Sequence, residues 1–237
     1  MARLTALLVM MMTLGSFQSA LAQPDEDQLG GWYMYFWSVP GGETETQGRI
    51  GLQGDIQYRN WDAMGDLEQL LLRGGVTYRP KQIKAKLTLG YAYISTGEFG
   101  DGSDTVAEHR IYQEALLPHK IAGHLYLTHR FRYEQRIVET PDLRTRYRYA
   151  LFINVPLNQA NLKKGAIYLA AYDEVFINGQ RGIGDGISVQ FFDRNRAYGA
   201  LGYSILDTLR VQGGYMQQTT TSWSKGQFQL SLHHTID

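Results

Sequence analysis

Charged side chains recur at every second position between Glu108 and Arg148. From His124 the polar set is His124, Tyr126, Thr128, Arg130, Arg132, Glu134 and Arg136. The alternate set, Leu125, Leu127, His129, Phe131, Tyr133, Gln135 and Ile137, is mostly apolar or aromatic. The split returns beyond Pro141, where Arg144, Arg146, Arg148 and Asn154 oppose Tyr147, Tyr149, Leu151, Ile153 and Val155. A guanidinium presents a rigid fork of donors that matches carboxylate and phosphate. A row of such forks has two uses. Glutamates on neighbouring strands can neutralise it as a ladder of ion pairs. Alternatively, an excess of arginine leaves fixed positive charge that favours anions. Nucleophilic chemistry has less support. His109 and His129 are candidate bases, and Ser95 and Ser204 candidate nucleophiles, but they sit on separate segments and no G-x-S-x-G elbow occurs. His109, His124 and His129 lack a metal-site spacing, and His233 and His234 would project to opposite faces of a strand. No enzymatic activity, metal or cofactor is expected.

A period of two belongs to a β-strand, whose successive side chains point to opposite faces. At helical period these charges would scatter and leave no apolar stripe. The alternation continues along the chain: Ile50, Leu52, Ile56 and Tyr58 oppose Gln53, Asp55, Gln57 and Arg59, and Leu87, Leu89, Tyr91 and Tyr93 oppose Lys86 and Thr88. The charged face is expected to carry Arg73, Glu108, Arg110, Arg130, Arg132, Glu134, Arg136, Arg144, Arg146, Arg148, Glu174, Arg194 and Arg196. The apolar face is expected to carry an aromatic girdle of Trp32, Tyr58, Tyr78, Tyr91, Tyr93, Tyr147, Tyr203 and Tyr215.

A soluble sandwich would bury the apolar face, whereas a membrane barrel turns it to lipid and the charges to the lumen. Regular hairpins, an aromatic-rich apolar face and the need to remove sheet edges favour the barrel. The expected fold is all-β, a single-chain antiparallel transmembrane β-barrel. Eleven segments are readable, and single-chain bacterial barrels have even strand numbers. The expectation is therefore 12 strands (10 as the alternative), with 178–192 the best place for a hidden one.

Lys and Arg together number 23, as do Asp and Glu, so the chain is not a basic nucleic-acid binder. Cysteine is absent, which excludes disulfides and cysteine-linked lipid anchors. Arg3, the apolar run 4–14 and Ala20-Leu21-Ala22 read as a cleaved secretory signal over residues 1–22, followed by one barrel domain over 23–237. The expected location is the outer membrane of a Gram-negative bacterium. The expected partners are outer-membrane lipid, the barrel-assembly machinery during biogenesis, and small anions.

An ordered set of short pieces resembles the bacterial family known as domain of unknown function 2490. These include Asp66-Leu67-Glu68-Gln69 with Arg73, Gly75-Val76-Thr77-Tyr78, Glu108-His109-Arg110 with Gln113, and His129 to Arg136. Arg146-Tyr147-Arg148, Pro156-Leu157-Asn158, Glu174 with Phe176-Ile177-Asn178, and Phe192 to Arg196 with Gly202-Tyr203 follow in order. Asp173 stands where members of the family usually have Asn. The resemblance implies an outer-membrane β-barrel and carries no established activity. On these grounds the functional expectation is a small anion-favouring pore. The alternatives are an accessory barrel, closed by an Arg–Glu network and binding a partner through loops 96–105 and 178–192, and an outer-membrane lipid-modifying enzyme.

Overall fold

A computed structural model describes residues 28–44, 48–100, 102–138 and 142–236; the segment 1–22, expected to be a signal, lies outside the described residues. Twelve strands follow one another: β1 (Gly30–Val39), β2 (Glu43–Thr44), β3 (Gly48–Asn60), β4 (Leu67–Arg79), β5 (Lys86–Gly97) and β6 (Thr105–Ile121). Then come β7 (Leu125–Val138), β8 (Arg144–Pro156), β9 (Ile167–Asn178), β10 (Phe192–Ser204), β11 (Leu209–Thr219) and β12 (Ser224–Thr235). From β3 to β12 each strand pairs antiparallel with the next. The two-residue β2 only pairs with the start of β3, so eleven strands form the wall. No helix occurs among the described residues.

The expectation of an even count therefore fails, and the reason is the closure. β1 pairs antiparallel with β3 on one side and parallel with β12 on the other, with Trp32 facing Gln229 and Ser38 facing Thr235. A meander with an odd number of strands can close only through one parallel pair. The segment 178–192 hides no strand; between β9 and β10 it holds only an isolated bridge, Gly182 to Ser188.

The register settles which face is which. The outer face exposes large apolar side chains on every wall strand from β3 to β12, among them Ile50, Val76, Leu89, Ile111, Phe131, Tyr147, Leu169, Leu201, Tyr215 and Leu230. The opposite positions are buried and mostly polar or charged. Two notches tighten the wall. A Cβ on Gly90 would lie 2.3 Å from the ring of Tyr112, its direct cross-strand partner, and one on Gly202 would lie 2.2 Å from the ring of Tyr168. Each tyrosine lies over the surface its glycine leaves bare.

The connections after β3, β5, β7, β9 and β11 lie at the rim where β1 begins, here the first rim; the others lie at the second rim. At the first rim the Asp62 carboxylate accepts the amide N–H groups of Gly65, Met64 and Asp66. These bonds, that of Gly65 foremost, hold its carboxyl below the usual range.

Candidate functional site

Tight pairing in register sets arginine directly against arginine inside the barrel: Arg110 faces Arg136, Arg136 faces Arg144, and Arg132 faces Arg148. Like charges directly opposite are destabilising. Carboxylates reached along the diagonals relieve them. Glu108 accepts Arg110 at 2.6 Å and Arg136 at 2.5 Å. Glu114 accepts Arg132 at 2.5 Å. Glu174 accepts Arg130 and Arg148, each at 2.6 Å. Glu134 lies at the centre, with Arg148 at 2.6 Å, Arg146 at 2.7 Å, Arg132 at 3.6 Å and Arg110 at 3.8 Å, and is only 1 % exposed. A buried carboxylate is tolerated only with such company, since desolvation costs several kcal/mol per ion.

Two aromatic residues extend the ladder across the lumen. The Phe176 ring lies under the guanidiniums of Arg148 (4.3 Å), Arg196 (4.8 Å) and Arg146 (5.2 Å). Trp32 lies under Arg59 (4.0 Å) and Arg196 (4.7 Å), and its indole N–H donates to Glu68 at 2.8 Å. Glu68 reaches the interior because a bulge in the β3–β4 register leaves it as the extra residue between Leu67 and Gln69. A chain of contacts thus runs from wall to wall: Trp32, Arg196, Phe176, Arg148, Glu134, Arg110. Around it Asn60, Gln218, Lys225 and Gln227 are also almost wholly buried. Large side chains crowd the barrel at this depth.

Toward the second rim the filling stops. A cavity of about 540 Å3 opens there, with Asp207, Thr208 and Thr235 at its mouth and Trp32, Arg148, Glu174 and Arg196 at its floor. Eight cationic side chains line it (Arg59, Arg73, Lys86, Arg130, Arg132, Arg148, Arg196 and Arg210) against four carboxylates (Asp55, Glu114, Glu174 and Asp207), so its potential is positive. Arg73 is held by Asp55 at 2.8 Å, and Lys86 bonds Gln53.

The structure places the charged residues singled out in the sequence on the lumen side and joins most of them. Arg144 and Arg194 stand at the first rim, where Arg194 pairs with Asp193 at 3.1 Å. Trp32 departs from the expected girdle. It is 1 % exposed and belongs to the lumen, because β1 carries aromatics on both faces and its alternation has no contrast. Tyr58, Tyr78, Tyr91, Tyr147, Tyr203 and Tyr215 lie exposed on the outer face, and Tyr93 is half-buried there.

Several lumen members lie outside the charged set expected from the sequence. Asp55 and Arg59 were visible on the polar face of their strand, and Glu114 shares the period-two face of Glu108 and Arg110. Glu68 and Asp193 sit at bulges, which break that period.

Two outer-face histidines bond tyrosine hydroxyls: His109 with Tyr91 at 2.5 Å and His129 with Tyr149 at 2.9 Å. Ser204 donates to the Leu162 carbonyl. Inside the cavity Ser231 Oγ lies 3.1 Å from His233 Nε2, with the His233 ring stacked on Phe36. Among the described residues no group of three or more His, Asp or Glu could hold a metal ion.

These features define a closed single-sheet β-barrel with an ion-paired interior. The chain matches the family described as "Protein of unknown function (DUF2490)" over residues 29–229, nearly all of the barrel, and belongs to that family. No curated protein and no solved structure matches it.

Proposed function

We propose that this chain is an outer-membrane β-barrel, exported through residues 1–22, whose lumen is closed at mid-depth and which acts by binding rather than by conducting or catalysing. The wall-to-wall chain from Trp32 through Glu134 to Arg110, with the buried Asn60, Gln218, Lys225 and Gln227 around it, carries this reading, since these side chains crowd the lumen at that depth. Support for the membrane comes from the outer face. In water an apolar belt of this extent, interrupted by only a few polar groups such as Asp173 and Gln113, is a liability; in lipid it is favoured. The closed sheet supplies the second requirement, because no strand edge is left unpaired in hydrocarbon. Single-channel recording in planar bilayers tests it. Wild-type protein is expected to give no steady conductance, and stable openings would overturn the closed reading.

A second reading, an anion-favouring pore, draws on the excess of cations lining the cavity. It requires the ladder to part. In that case the same recordings would show openings whose reversal potential favours anions.

A further inference from the structure

We propose that the cavity at the second rim is a binding site for a small hydroxylated carboxylate, of the sugar-acid class, whose carboxylate pairs with Arg196. The proposal rests on the closed-lumen reading, which makes the cavity a dead end. Arg196 and Arg59 are the two deep guanidiniums lining the cavity for which no ion pair occurs among the described residues; Arg59 is bound by the Gln57 and Gln69 side-chain carbonyls, and Arg196 by one amide alone. Arg196 is 7 % exposed, donates through Nε to Gln218 at 2.7 Å, and has no carboxylate within 4 Å among the described residues. Glu174 faces it directly in the β9–β10 register, but the Glu174 carboxylate is already taken by Arg130 and Arg148. A guanidinium this deep, whose direct partners are an amide and two aromatic faces and whose neighbour over Trp32 is a second guanidinium, Arg59, is one counter-ion short. A ligand carboxylate supplies that ion in the bidentate geometry arginine prefers.

The neighbouring groups select the rest of the ligand. Two residues along β10, the Tyr198 hydroxyl is buried without a hydrogen-bond partner, and so is the amide nitrogen of Gln229. The Tyr172 hydroxyl donates to the Gln229 carbonyl oxygen at 3.2 Å, which fixes that amide with its NH2 free. Tyr172 and Tyr198 stack at 4.7 Å, and Phe152 lies 5.5 Å from Tyr172. Unsatisfied buried donors cost about 1–3 kcal/mol each, and hydroxyls on a ligand satisfy them. Aromatic faces beside amides and hydroxyls suit a saturated ring that has C–H faces and a polar rim. The volume lies within the range of about 300–1,000 Å3 typical of small-molecule sites and takes one or two such rings.

The test is calorimetric titration of the full-length protein, refolded in detergent micelles, with D-glucuronate as probe and glucose, benzoate and inorganic phosphate in parallel. Glucuronate is expected to bind saturably, at least about tenfold more tightly than the other three. Arg196→Gln should weaken it about tenfold or more, and Tyr198→Phe, which keeps the ring stack, by several-fold. If Arg196→Gln does not fold, Tyr198→Phe carries the comparison. Equal binding of benzoate or phosphate, unchanged affinity in the folded variants, or no saturable binding of glucuronate overturns the proposal. Bilayer recording of the same preparation separates the two failures: conductance defeats the closed lumen, whereas silence without binding defeats the ligand assignment alone.

Discussion

Glu134 holds the centre of the ladder because four guanidiniums converge on one carboxylate. Removing it leaves a buried cluster of positive charge without its counter-ion, a loss of about 3–5 kcal/mol in soluble proteins. Glu134→Ala is therefore expected to lower the urea midpoint for unfolding from detergent, and to admit anions in bilayer recordings where wild type stays silent. An unchanged midpoint would show that the arginines find other partners. At this scale the sequence was informative about which side chains face inward, since alternation alone separates Arg130, Arg132, Glu134 and Arg136 from Phe131, Tyr133 and Gln135. It said nothing about who pairs with whom. That depends on the stagger between strands, which sets Arg132 against Arg148 and sends both to diagonal carboxylates. The side taken by Trp32 is not legible, because Tyr33, Tyr35, Phe36 and Trp37 surround it with the same chemistry on both faces.

Within single strands, glycine placement decides how closely the wall can draw in. Tyr112 lies across Gly90, with the Arg132 guanidinium 4.7 Å from its ring. Gly90→Val is expected to push that ring into the cation above it and cost about 1–3 kcal/mol, read as a lower unfolding midpoint. Gly74, on the outer face with open space around its Cβ position, serves as the control, and Gly74→Ala should leave the midpoint nearly unchanged. Equal effects at both positions would mean that strand propensity, not the notch, governs the loss. Strand positions were legible because each run is long and evenly alternating. The bulges at Glu68 and Asp193 were not, since one extra residue looks like noise in a period of two until the partner strand is known.

For the whole molecule, the sequence made the barrel legible but not its closure. Eleven segments could be counted, yet an even number was inferred from the general habit of such barrels; nothing in β1 or β12 signals that they run side by side in the same direction. The parallel seam puts Leu29 at the first rim and Ile236 at the second. The native chain has no cysteine, so Leu29→Cys and Ile236→Cys give clean probes. In intact cells a membrane-impermeant maleimide is expected to label only one of the two. Labelling of both from outside would sink the membrane-spanning topology. The seam also orders assembly in time. Every other pairing in the wall joins strands adjacent along the chain and can zip from a local turn, but Tyr35 and His234 meet across 199 residues. Loop-closure entropy makes that contact the last stave to enter the cask and, under strain, the first to spring.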